Sequence, residues 1–276
     1  MALSKFRLAM YGCFIVAQTL ASGVATKADT VSEPQAREIA KTAIRNARGE
    51  NQEDFLSVHR REDLEDNLCR FIMLGASTDP NPSCAFLFQV SDDGYEFHKG
   101  KVNTYVSVHG PFIHYVVVSR DSGDVFRISG FKDSRDEFNR MAKAFSIRVT
   151  DDSDALRYAE LYRAVDPTNL RLELPNTNLE LKQLAEKRFY YSFYPDFNRA
   201  ETRFDEWWKT ERKGLLRQTL GPIATKTSSG YLVTFLTMSD IDKRQPEGGP
   251  GLLEASVQIS TDGQVTGPTL TAAAAN

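Results

Sequence analysis

The sequence is poor in the groups that announce a reaction or a nucleic-acid partner. Its 276 residues carry 34 Lys and Arg against 37 Asp and Glu, a formal charge of -3. No basic excess is on hand to neutralise a phosphate backbone, so nucleic acid is not an expected partner. Three cysteines are too few for a disulfide-dense scaffold. There is no Gly-x-Ser-x-Gly elbow, His-Glu-x-x-His helix, phosphate loop or Gly-x-Gly-x-x-Gly turn, so nucleophilic, zinc and nucleotide chemistry have no signature here. No catalytic residue and no cofactor is expected. Beyond residue 30, no apolar run approaches the ~18 residues of a membrane-spanning helix.

What is present begins with an export signal. Lys5 and Arg7 precede a mostly apolar stretch from Leu8 to Val24, and Ala21, Gly23 and Ala25 are the small residues of a cleavage site, as in a secretory signal peptide. We assign residues 1–25 to it, with cleavage after Ala28 as the alternative and an uncleaved anchor as its rival. Cys13 lies inside the apolar stretch, the wrong place for a lipidated cysteine. Removal of the signal leaves 32 basic and 37 acidic residues, a mildly acidic chain with two cysteines, Cys69 and Cys84. In a secreted or periplasmic setting a single bridge between them is the obvious pairing, worth roughly 3 kcal/mol in the loop-entropy account. Two buried free thiols are the alternative.

The mature chain reads as α+β. Ser32, Pro34 and Gln35 make a helix start, and Ala36, Ile39, Ala40, Ala43, Ile44 and Ala47 follow helical spacing. A polar stretch, Arg48 to Asp66, precedes the cysteine segment. Strands are expected over 85–90, 95–98, 102–108, 112–119 and 124–129, joined by Gly-, Pro- and Asp-containing turns into an antiparallel meander. Ser134 with Glu137 opens a second helix, and Asp151 to Asp154 caps a third that runs to Val165. Residues 166–177 look like a linker, dividing a first unit (31–165) from a second (178–270), with a frayed tail at 271–276. The second unit is expected to contain a helix from Leu179 through Phe189, another over 204–216, strands over 230–238 and 252–260, and a short strand through Val265. The fold class is therefore two small units, each with helices packed on an antiparallel sheet.

Two stretches carry a resemblance. The run from His114 through Asp121-Ser122-Gly123 to Ile128, preceded by a helix and further strands, resembles the closing hairpin of PepSY-type modules. Those modules occur in peptidase propeptides and in exported bacterial proteins. Ala255 to Val265, with Asp262-Gly263 at its turn, is similar to the same hairpin. The resemblance implies two helix-on-sheet units, and binding or inhibition more than catalysis. The cysteine insertion and the helices at 134–165 depart from the family pattern.

Candidate site residues are few. His98, His109 and His114 are conceivable metal ligands, but across a Gly110-Pro111 turn His114 is expected to face Ser107, so no imidazole pair forms and no metal site is assigned. Asp151, Asp152 and Asp154 lack the Asp-x-Asp-x-Asp-Gly spacing of a calcium loop and read as a helix cap. The charged connection from Ser239 to Gly251 is long for a hairpin and is a candidate contact surface. The anomaly is aromatic: of 29 Phe, Tyr and Trp residues, nine lie between Phe189 and Trp208, where an even spread would place about two. Neighbours such as Tyr190-Tyr191 and Trp207-Trp208 diverge by ~100° on a helix, so some face the core and others do not. Tyr190, Tyr194, Trp207 and Trp208 are taken as the candidate binding residues, with core packing as the other reading. The basic residues interleaved with them are offset by acidic ones.

The expected function is that of an exported, non-catalytic binding protein recognising a protein, peptide or envelope component. The alternatives are a secreted hydrolase whose carboxylates are brought together by the fold, and a peptidase inhibitor or propeptide-like chaperone. The hydrolase reading requires two facing carboxyls, one with a raised pKa.

Overall fold

The structure, a computed structural model, describes residues 30–48, 56–75, 84–92, 97–98, 101–102, 112–129, 134–165, 175, 177–215, 221–239, 241 and 249–273. The expected signal peptide, most of the 166–177 linker, His109 and most of the 239–251 connection lie outside them. Among the described residues there are six helices and two four-stranded antiparallel sheets, the α+β architecture expected.

The first half opens with α1 (Glu33–Arg48), whose start is held as the sequence indicates. The Ser32 N–H donates to Gln35 Oε1 at 2.9 Å. The first sheet has the order β1-β2-β5-β6, formed by Leu56–Arg60, Ala85–Asp92, Phe112–Ser119 and Val125–Ser129. Residues Ala85 to Val90 of β2 are mostly buried in near-continuous fashion because both faces of this sheet are covered. Phe86, Phe88, Val90, Val116 and Val118 meet Ala36, Ala40 and Ile44 of α1. The alternate residues Ala85, Leu87, Tyr115, Val117, Phe126 and Ile128 face α2 (Glu62–Gly75) and α3 (Ser134–Ala144).

Three features of this half differ from the sequence reading. The polar stretch contains β1 and the beginning of α2, the latter ended by Gly75. The expected five-strand meander is interrupted: β2 pairs directly with β5, while β3 (Phe97–His98) and β4 (Lys101–Val102) form a ribbon of their own. His114 consequently lies between Val90 and Ser129 in the ladder and is buried, instead of facing Ser107. Both edges of β5 are taken, so a preceding strand cannot pair there. The Cys69–Cys84 disulfide is present, with Cα atoms 5.4 Å apart, and ties α2 to the entry of β2.

Charge locks the polar stretch in place. Glu65 of α2 is almost wholly buried, and Arg60 of β1 reaches its two oxygens at 2.8 and 2.9 Å. Arg120 donates to the same carboxylate at 2.6 Å. The guanidinium carbons of Arg120 and Arg60 stand 4.2 and 5.2 Å from the Phe86 ring centroid. A buried carboxylate is tolerated because two guanidiniums return what desolvation costs.

The second sheet is a meander, β7 (Ile223–Thr227), β8 (Gly230–Met238), β9 (Leu252–Ser260) and β10 (Val265–Ala272). Its inner face presents Tyr231, Val233, Phe235, Ala255, Val257 and Ile259 to α4 (Asp152–Val165). Asp151 Oδ1 accepts from the Asp154 N–H at 2.8 Å at the start of that helix, the capping role read from the sequence. Because α4 precedes the linker and packs on the sheet that follows it, the two halves share one continuous core. β10 is also longer than the short strand expected. Thr271 and Ala272 pair with Glu254 and Leu253, so these two residues belong to the ladder and not to a frayed tail. The register shifts between Thr266 and Thr269, around Gly267-Pro268, which an edge strand accommodates because the proline has no N–H to contribute.

Candidate functional site

The aromatic-rich segment forms a helical hairpin, α5 (Asn178–Phe193) and α6 (Phe197–Leu215). Thr177 caps α5 by accepting from the Glu180 N–H at 3.1 Å. Asp196 starts α6 by accepting from the Arg199 N–H at 3.1 Å. Leu181, Leu184, Ala185, Phe189 and Phe193 make the inner stripe of α5, and Ala200, Phe204 and Trp207 that of α6. These close on Leu236, Met238, Ile241 and Leu252, at one end of the outer face of the second sheet. Phe189 is the centre of this small core, with Trp207 and Phe204 ring centroids at 5.1 and 5.6 Å.

The four residues singled out from the sequence do not converge. Trp207 is a core residue, 8% exposed, and its indole fills the place a Cβ would take at Gly249, whose φ is +67°. Trp208 is half-buried against the same core, with Phe204 at 5.9 Å. Tyr190 is likewise half-buried against that core, and Tyr194 stands 73% exposed.

Tyr190 and Tyr194 belong instead to a cleft of about 560 Å³ on the outer face of the hairpin, lined also by Gln183, Glu186, Lys187, Tyr191 and Phe197. The α5 members recur at three- and four-residue steps and so share one face. Phe197, at the first turn of α6, joins them through ring contacts to Tyr194 at 5.7 Å and Tyr190 at 6.1 Å. Tyr191 and Phe197 are 67% and 49% exposed. Both were missed in the sequence, although the helical spacing of 183, 187, 190, 191 and 194 already contains the α5 part of the stripe.

Electrostatics distinguish the cleft from a plain apolar patch. Desolvation, followed by the negative charges of Glu201, Glu186 and Asp205, holds the Tyr190 hydroxyl above the usual tyrosine range. Elsewhere, hydrogen bonds from Arg37 and Arg61 push the Glu33 and Asp63 carboxyls down, despite some desolvation. Among the described residues, no group of three or more His, Cys, Asp and Glu side chains is placed to hold a metal ion, and no helix is long and apolar enough to cross a membrane.

Comparison of the chain with protein-family models, with curated proteins and with solved structures finds no match in any of the three.

Proposed function

We propose that the protein is an exported, non-catalytic binding protein that recognises a segment of another polypeptide on the outer face of the α5–α6 hairpin. The observation that carries this reading is the exposure of Tyr191, Tyr194 and Phe197 around one cleft. Aromatic rings left in water on a face that has other core available are characteristic of contact surfaces. The disulfide supports export, since such a bond persists in an oxidising compartment. The PepSY-like character of the β5–β6 and β9–β10 hairpins supports binding or inhibition over turnover.

Two measurements test the proposal. The N-terminus of protein recovered from the exported fraction is expected at Thr26 or Asp29, and a retained Met1 contradicts cleavage. On an array of immobilised peptides, the mature chain is expected to bind a subset, and Tyr191→Ala with Tyr194→Ala to lose that binding while keeping the melting temperature. Equal binding by the double variant overturns the cleft as the site. Binding to isolated envelope polysaccharide in place of peptides transfers the reading to an envelope component.

A further inference from the structure

We infer that the cleft is built for a basic peptide: a lysine or arginine side chain set against Tyr190, Tyr194 and Phe197, with Glu186, Glu201 and Asp205 supplying the opposite charge. This rests on the cleft being a peptide-binding site and names what it selects.

The geometry follows from two antiparallel helices. Glu186 and Tyr190 lie one turn apart on α5, and Tyr194 follows four residues on as its C-cap. On α6, Phe197, Glu201 and Asp205 recur every four residues in the opposite direction. Tyr190 touches Phe197, which brings the carboxylates one and two turns into α6 alongside Tyr190. The negative charges acting on its hydroxyl are those of Glu201, Glu186 and Asp205. Aromatic faces next to carboxylates favour a cation twice, through the ring quadrupole and through direct attraction.

Arg203 is paired with Glu206 at 3.4 Å, and Arg199 lies over the Phe193 ring at 5.3 Å. Lys187 lines the cleft beside Tyr191, one turn away, and offsets part of the negative field. Length points to a peptide in preference to a single headgroup. Gln183 to Tyr194 extends about 16 Å along the helix axis, enough for four or five residues of extended chain.

The test uses the full mature chain and three fluorescein-labelled heptapeptides of one framework, bearing three Arg, three citrulline or three Glu, followed by anisotropy at low and moderate salt. Each ring contact and each exposed charge is expected to contribute roughly two- to five-fold. The Arg peptide is therefore expected to bind at least about ten-fold more tightly than its citrulline isostere, with the difference shrinking as salt rises. Glu186→Gln with Glu201→Gln should cut the Arg preference about three-fold or more without changing the melting temperature. Lys187→Gln should increase it. Equal binding of the Arg and citrulline peptides overturns the basic selectivity while leaving peptide recognition in place. Failure of all three removes both. An Arg preference indifferent to the Glu and Lys variants places the binding elsewhere and overturns the inference, as does tighter binding to phosphatidylcholine vesicles than to any peptide.

Discussion

Asn139 of α3 closes both backbone hydrogen bonds of Val265 at the start of β10. Its Oδ1 accepts from the Val265 N–H at 2.7 Å, and its Nδ2 donates to the Val265 carbonyl at 3.0 Å. A side-chain amide here acts as a further strand would, at a point where the sheet has none. Around it, Gln264 Nε2 donates to the Asn139 carbonyl at 3.2 Å and the Val149 N–H to the Thr261 carbonyl at 3.0 Å. This seam joins the two halves. Asn139→Ala leaves two backbone groups of a buried residue without partners and is expected to cost roughly 2–4 kcal/mol, read by urea denaturation. Asn139→Asp, which keeps the acceptor and loses the donor, should fall between alanine and the native protein. Equal stability of all three would show that water replaces the amide.

The same seam makes Gly263 intolerant of a side chain. Its φ is +76°, and a Cβ would stand 2.6 Å from Ile147 Cγ2. Gly263→Ala combines a left-handed backbone penalty with overpacking, about 2–4 kcal/mol in sum. For a chain of this size that corresponds to a fall in Tm of several degrees. Because this turn docks on the helices of the first half, fragments ending or starting at the linker are expected to be poorly folded singly, each showing a weak near-ultraviolet circular dichroism signal that recovers on mixing.

Trp207 and Tyr194 should separate core from surface. Trp207→Ala removes the indole that packs on Phe189 and Gly249 and is expected to cost about 3–5 kcal/mol. Tyr194→Ala, at a position 73% exposed, should change stability by less than about 0.5 kcal/mol. Thermal melts of the two variants decide it, and a small loss for Trp207→Ala would reopen its place in recognition.

Reducing the Cys69–Cys84 bridge, or replacing both residues with Ser, releases a 15-residue separation. The loop-entropy account gives roughly 3 kcal/mol for such a loop. Melting with and without reductant measures it, and an unchanged midpoint would assign the stability of α2 to packing and to the Glu65 cluster alone.

Alkaline stability should report Tyr158. Burial, and then the negative charge of Asp262, push its hydroxyl well above the ordinary value, while it donates to the Gly263 carbonyl at 3.0 Å. A raised folded-state pKa stabilises fully below the unfolded pKa of about 10 and is lost as pH rises beyond it. Stability is therefore expected to fall above pH ~10, with a contribution of about 1.4 kcal/mol per pH unit from this residue. Tyr158→Phe should remove that part of the slope, at a cost near 1 kcal/mol at neutral pH for the lost hydrogen bond. An unchanged slope would assign the alkaline loss to other groups.

Local signals were legible in the sequence where residues act on their near neighbours. The Ser32–Gln35 start of α1, the Asp151 cap of α4, the hairpins around Ser122-Gly123 and Asp262-Gly263 and the proximity of Cys69 to Cys84 all follow from short-range chemistry. So does the crowding of nine aromatics into 20 residues, which marked the α5–α6 hairpin as unusual. Helical spacing also required that some of those rings point away from the core. What spacing left open was which rings these are, because that depends on where the second sheet lies. Only the packing of Phe189 and Trp207 on Met238 and Ile241 turns Tyr191, Tyr194 and Phe197 outward. The pairing of β2 with β5 and the shared core are equally tertiary results. Antiparallel strands of similar apolar pattern are interchangeable partners in sequence, and their choice is made by the helices that cover each face.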